Sequence, residues 1–219
     1  DLGDGPEGEW IGDDPQAKLA EHLTSLYWWG TLTFDDPLLE RFFGNASPET
    51  RGAVVKFVGH TLGDMEEELQ PDVAERLRTL IETRIAAVRG EEDAAASAEE
   101  LEAFGWWFES GKLDDQWCLA RLLEVLEITG GKVDFDRHVA AQLVVMAVDH
   151  PVQVVECFRM MVEGDDEGWR VMTWRQQLRD VLRAALASAS GEARDRAECL
   201  INTLGEERGD HEYRGLLHG

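Results

Sequence analysis

Apolar residues recur along this chain every three or four positions, the spacing of a helix with one buried face. Asp14-Pro15 opens the first such run, with Asp suited to the N-cap and Pro to the first turn; Leu19, Leu23, Leu26 and Tyr27 follow, up to Trp28-Trp29-Gly30. Asp35-Asp36-Pro37 starts a shorter helix through Leu38, Leu39, Phe42 and Phe43. Ser47-Pro48-Glu49 starts another, with Val54, Val55, Phe57, Val58 and Leu62 on its apolar side. Pro71 opens a helix to about Arg89, carrying Val73, Leu77, Leu80, Ile81, Ile85 and Val88.

The run from Gly90 to Ala96 reads as a solvated linker, and Ser97-Ala98-Glu99-Glu100 as the capping box that starts the next helix. That helix holds Leu101, Phe104, Trp106, Trp107 and Phe108 and stops at Ser110-Gly111. Further helices are expected after Asp114-Asp115, after Asp134 and Asp136, from Pro151, from Trp169 to about Ala187, and after Ser190-Gly191-Glu192. A short tail, Tyr213 to Leu217, is expected to dock back on the last of them. Period-2 alternation is absent, and Val152 to Val155, the one β-like run, continues with helical spacing.

One pattern occurs twice. An ungapped shift of 79 positions lays Tyr27-Trp28-Trp29 on Trp106-Trp107-Phe108, Phe34-Asp35-Asp36 on Leu113-Asp114-Asp115, and Leu38 on Trp117. Three aromatics close a helix, a turn comes next, and paired Asp residues cap the next helix. Such a hairpin cannot bury its faces alone, so copies must stack. The expected fold is therefore all-α, a HEAT/armadillo-like αα-hairpin superhelix of about ten helices. Residues 1–13, Gly/Asp-rich around Trp10, are expected to be loosely ordered, and 14–219 to form a single helical repeat domain with a candidate sub-boundary near 90–97. A stacking platform for bases or sugars is a second use for such aromatics, but on apolar-patterned helices in an acidic chain a core role is preferred.

Charge narrows the partners. Asp and Glu number 45 against 21 Lys and Arg, a net of -24. This surface repels phosphate backbones, so general nucleic-acid binding is disfavoured. The carboxylates are spread along the chain, which fits a solvated acidic coat suited to high salt better than one dedicated patch. No run approaches the length of a membrane span, and the start lacks a basic region followed by an apolar run, so neither membrane insertion nor a signal peptide is expected. The polar start without Met is read as that of a fragment cut from a longer protein or of a processed chain.

Catalytic signatures are absent: no phosphate loop, no dinucleotide fingerprint, no nucleophile elbow and no HExxH. An enzyme is not expected, and neither a cofactor nor a metal is assigned. Cys118, Cys157 and Cys199 are far apart and lie in apolar patterns, so free buried thiols in a reducing cytoplasm are expected. His150 and Cys157 share a helix face by spacing, the minimum for a thiol–imidazole pair. The clusters at 64–68 and Asp165-Asp166-Glu167 could hold a cation but lack the spacing of a calcium loop.

One segment differs in kind. Trp169-Arg170 and Trp174-Arg175 place two Trp five apart, each followed by Arg, a pairing suited to protein recognition. Arg170, Arg175, Arg179 and Arg183 also form the one candidate basic stripe.

The stretches Trp106 to Trp117, Met161 to Trp169 and Ala197 to Gly205, with Tyr213 to Leu217, resemble the helical C-terminal arm of large prokaryotic multidomain proteins of NTPase and defence type. The resemblance covers roughly residues 20–219 and implies a sensor or scaffold arm bound to another protein or to another domain of its parent chain. Two alternatives from other classes are a hydrolase with a carboxylate or His metal site between helices, and a nucleic-acid sensor using the Arg stripe.

Overall fold

The structure, a computed structural model, describes residues 18, 22, 23, 25, 26, 30, 31, 36–91 and 94–218. The N-terminal segment around Trp10, most of the helix expected from Asp14, and the triplet Tyr27-Trp28-Trp29 lie outside the described residues. Among the described residues the chain is helical throughout and contains no strand.

The helices are α1 (Pro37–Asn45), α2 (Pro48–Asp64), α3 (Pro71–Arg89), α4 (Ala94–Glu102), α5 (Phe104–Glu109), α6 (Asp115–Ile128), α7 (Asp136–Met146), α8 (Pro151–Glu163), α9 (Trp169–Thr173), α10 (Arg175–Ala187) and α11 (Gly191–Glu207). A 3-10 segment, Glu212–His218, closes the chain. Their starts obey local chemistry. Asp36, Ser47, Asp114 and Ser190 each accept a hydrogen bond from a backbone N–H of the first turn. Gly130 and Gly131, both at positive φ, let the chain leave α6, the Gly131 N–H returning to the Leu126 carbonyl at 2.7 Å.

Two expected helices are broken, and one starts early. α4 begins at Ala94, inside the expected linker, and Ser97 lies within it, its hydroxyl donating to Glu91 instead of capping. The next break, at Ala103, separates α4 from α5. The long helix expected from Trp169 to Ala187 breaks at Trp174, where φ is -122° and ψ 25°. The twofold pattern also slips by one residue. Asp36 caps Leu38 and Asp114 caps Trp117, whereas the ungapped shift sets Asp36 on Asp115.

Helices lie in two rows, each built from alternate elements. Gly52 meets Glu100, Gly59 meets Trp106 and Gly63 faces Glu109, so α2 runs parallel to α4 and α5. The Asp134 N–H bonds the Glu102 carbonyl at the start of α7, and Trp174 at the head of α10 reaches Asp136 at the head of α7. Thus α2, α4–α5 and α7 share one direction, and α10 starts beside the start of α7. In the other row, Glu82 and Arg89 of α3 reach Trp117 and Glu124 of α6. Gly131 after α6 abuts Gly164 after α8, and Glu156 of α8 pairs with Arg196 of α11. A continuous core runs between the rows from Leu23 to Tyr213 and continues across 90–97.

Glycine sets the tightest crossing. A Cβ on Gly59 would lie 2.5 Å from the Trp106 Cβ and 2.8 Å from its backbone, so α2 and α5 touch there as only Gly allows. Trp107 is fully buried beside that contact and donates its indole N–H to the Val55 carbonyl at 2.6 Å. The second tryptophan pair thus splits. Trp107 is core, while Trp106 is half-buried and stacks on Phe135 with ring centroids 4.1 Å apart.

Beneath the first helices lies a polar device that periodicity does not reveal. Glu100 is fully buried between Arg51 and Arg84, which are nearly so. Arg51 Nε donates to one Glu100 oxygen at 2.5 Å and Arg84 Nε to the other at 2.6 Å. This triad ties α2, α3 and α4 together.

Candidate partner-binding surface

The turn between α8 and α10 starts with a constraint and ends with an exposed aromatic. Gly164 leaves α8 where a Cβ would come within 2.2 Å of the Gly130 carbonyl oxygen. Next, Asp165 is buried and accepts the Val171 N–H at 2.9 Å, satisfying a free donor in the first turn of α9. Arg208 approaches the same carboxylate at 3.9 Å and donates to the Val162 carbonyl. Asp165 is therefore committed to holding the loop, and Gly168 enters α9 at a positive φ of 73°.

Asp136, at the head of α7, fixes the far side. One of its oxygens accepts Arg170 Nε at 3.0 Å and the Trp174 indole N–H at 3.2 Å. Arg170 also donates to the Val133 carbonyl at 2.8 Å. The Trp174 ring is 1% exposed and meets Phe158 edge to face, centroids 5.4 Å apart. Hydrogen bonds thus hold α9 at both ends.

The four residues singled out from sequence therefore divide. Trp174 is a core anchor. Arg170 is the clamp on Asp136. Arg175 pairs with Glu212 at 3.1 Å and Asp210 at 3.7 Å. Trp169 stands out at 72% exposure, and Met172, one turn further on the same face, at 54%. Sequence reasoning misses Met172, although its three-residue offset from Trp169 is visible there. A large aromatic left in water on a hydrogen-bonded turn is suited to anchoring a protein interface, since less backbone entropy remains to be lost on docking.

The remaining candidates are occupied or inert. The basic stripe is neutralised: Arg170 by Asp136, Arg175 and Arg179 by Glu212, Arg183 by Asp180. Asp64 pairs with His60 at 3.1 Å. No group of three or more metal-ligating side chains converges among the described residues. Cys157 is fully buried, and burial pushes its thiol well above the usual range; Cys118, also buried, is pushed up to about 12. Neither offers a thiolate near neutral pH. Cys199 departs from the expected burial, for it is exposed on α11.

Elsewhere the surface is indented. Leu123, Val152 and Met160 floor a cleft of about 530 Å³ between α6, α8 and α11, whose rim residue Glu156 is bracketed by Arg159 and Arg196. The hydrogen bond from Arg159 holds the Glu156 carboxyl below the ordinary range. Glu49, Glu99, Glu102 and Asp134 surround Lys56 in a smaller cleft, where burial, with Asp134 adding repulsion, raises the Glu102 carboxyl. Both are lined by side chains whose charges face one another.

Comparison with protein family models, with curated proteins and with solved structures yields no match. No helix among the described residues is long and apolar enough to cross a membrane.

Proposed function

We propose that this chain is a protein-interaction module: a HEAT-like αα superhelix that serves as scaffold or sensor arm and docks another protein, or another domain of its parent chain, through the Trp169–Met172 face. The parallel stacking of alternate helices supports the solenoid reading, since such rows leave long faces free for partners. The observation that carries the docking reading is the contrast within one turn. Asp165, Arg170 and Trp174 immobilise α9, while Trp169 stays 72% exposed. A monomer gains nothing from tying down three residues to hold a fourth in water. The free thiols Cys118, Cys157 and Cys199 fit a reducing, cytoplasmic setting.

The test is site-specific photocrosslinking in cells. A photoreactive phenylalanine analogue replaces the exposed Thr173 of α9 in one sample and the exposed Asp195 of α11 in another. A discrete adduct is expected from position 173, absent from position 195 and diminished by Trp169→Ala or Met172→Asp. Equal adducts at both positions, an adduct at 173 indifferent to Trp169→Ala, or none at 173, would sink the docking reading.

A further inference from the structure

The face around Trp169 also carries a charge signature, which bears on function only if that face docks a partner as proposed. Asp166 and Glu167 lie in the loop immediately before α9, are exposed, and take part in no ion pair among the described residues. Two neighbouring cations are engaged elsewhere. Arg170 is held by Asp136, and Arg208 by Asp165 and the Val162 carbonyl. Along the chain, two exposed carboxylates in no ion pair among the described residues are followed at once by an exposed indole and an exposed thioether.

We propose that this face receives a basic segment of a partner protein, one that sets Lys or Arg beside a large apolar side chain. The indole face attracts a cation through its quadrupole, and the adjacent carboxylates add a second attraction. Met172 supplies a deformable apolar surface for the neighbouring side chain. The net charge of -24 draws a basic segment in from a distance and turns an acidic one away. An amphipathic acidic peptide would meet Asp166 and Glu167 with like charge, and a nucleic acid would meet the whole surface so.

A random peptide library displayed on phage tests this without a known partner. It is panned on the wild-type protein, with W169A and the double variant D166N/E167Q as counter-targets; all three substituted side chains are exposed, so the fold should be retained, as checked by circular dichroism. Enriched peptides are expected to combine Lys or Arg with a large apolar residue. They should bind W169A and D166N/E167Q at least about tenfold more weakly than wild type, and lose affinity in high salt. Trp169-dependent peptides with no basic excess, or ones indifferent to D166N/E167Q, would overturn the basic-partner proposal and leave the docking face standing. Peptides that bind W169A as well as wild type, or no enrichment at all, would overturn the docking face itself.

Discussion

Replacing Glu100 by Gln tests how the N-terminal helices are joined. The carboxylate accepts from Arg51 at 2.5 Å and from Arg84 at 2.6 and 3.2 Å, and it is fully buried. Gln keeps the shape but removes the charge and turns an N–H2 toward guanidinium donors. Three charge-assisted bonds at roughly 1.5–3 kcal/mol each give an upper bound, since water entry and side-chain relaxation recover part of it. Breaking one partner of a buried ionic cluster typically costs about 3–5 kcal/mol, and that is the expected loss here. For a chain with total stability of roughly 5–15 kcal/mol this is a large fraction. Urea unfolding followed by far-ultraviolet circular dichroism measures it, with the slope checked for constancy. The matching control replaces the whole triad by Arg51→Met, Arg84→Met and Glu100→Leu, which removes every buried charge together and should cost much less than the single change. A loss below about 1 kcal/mol for Glu100→Gln, or a triple variant weaker than the single, would refute the account.

Gly59→Ala should cost several kcal/mol or prevent folding, because the new methyl would lie 2.8 Å from Trp106 backbone; Gly191→Ala, at the open start of α11, should be neutral or stabilising by up to about 1 kcal/mol, both read by thermal melts. Glu102→Gln should raise the melting temperature at pH 7. Its folded carboxyl is raised, so its favourable contribution exists at low pH and is lost as pH climbs through the folded value; the gain should vanish in acid, and a gain that persists there would contradict this. A thiol reagent should titrate one cysteine in the native protein, Cys199, and three after denaturation; early modification of Cys118 or Cys157 would mean the core opens.

Helix positions were legible because caps and apolar spacing are local. Pro71 and Arg89 bound α3 as the pattern predicts, and Ser190 caps α11. The breaks at Ala103 and Trp174 were not legible, since neither carries Pro or Gly. Trp174 is drawn out of helical geometry by Phe158 and Asp136, residues 16 and 38 positions away. The same distance problem hid the Arg51–Glu100–Arg84 triad, whose members look like ordinary surface charges on their own helices. Of the four residues that the sequence singled out around α9, the structure leaves Trp169 mostly exposed and ties Arg170, Trp174 and Arg175 into contacts within the chain. Trp and Arg types mark a recognition patch, but only tertiary contacts decide which of them remain exposed.

Long-range carboxylate repulsion leads to one more expectation, which separates two roles of the acidic coat. Several guanidiniums each bridge two carboxylates: Arg89 reaches Glu124 and Glu127, Arg121 reaches Glu82 and Glu124, and Arg196 reaches Glu156 and Glu192. These bridges span 2.5 to 3.6 Å, well inside the screening length of about 10 Å at 0.1 M salt, so moderate salt weakens them little. The surplus that leaves the chain at -24 acts across longer gaps, where screening is effective. Raising NaCl from about 0.05 to about 0.5 M should therefore raise the melting temperature, with most of the rise complete once the screening length falls to a few Å. A melting temperature that falls over this range would mean that the bridging pairs outweigh the repulsion, and the carboxylates would then have to be read as structural ties and not as a solvated coat.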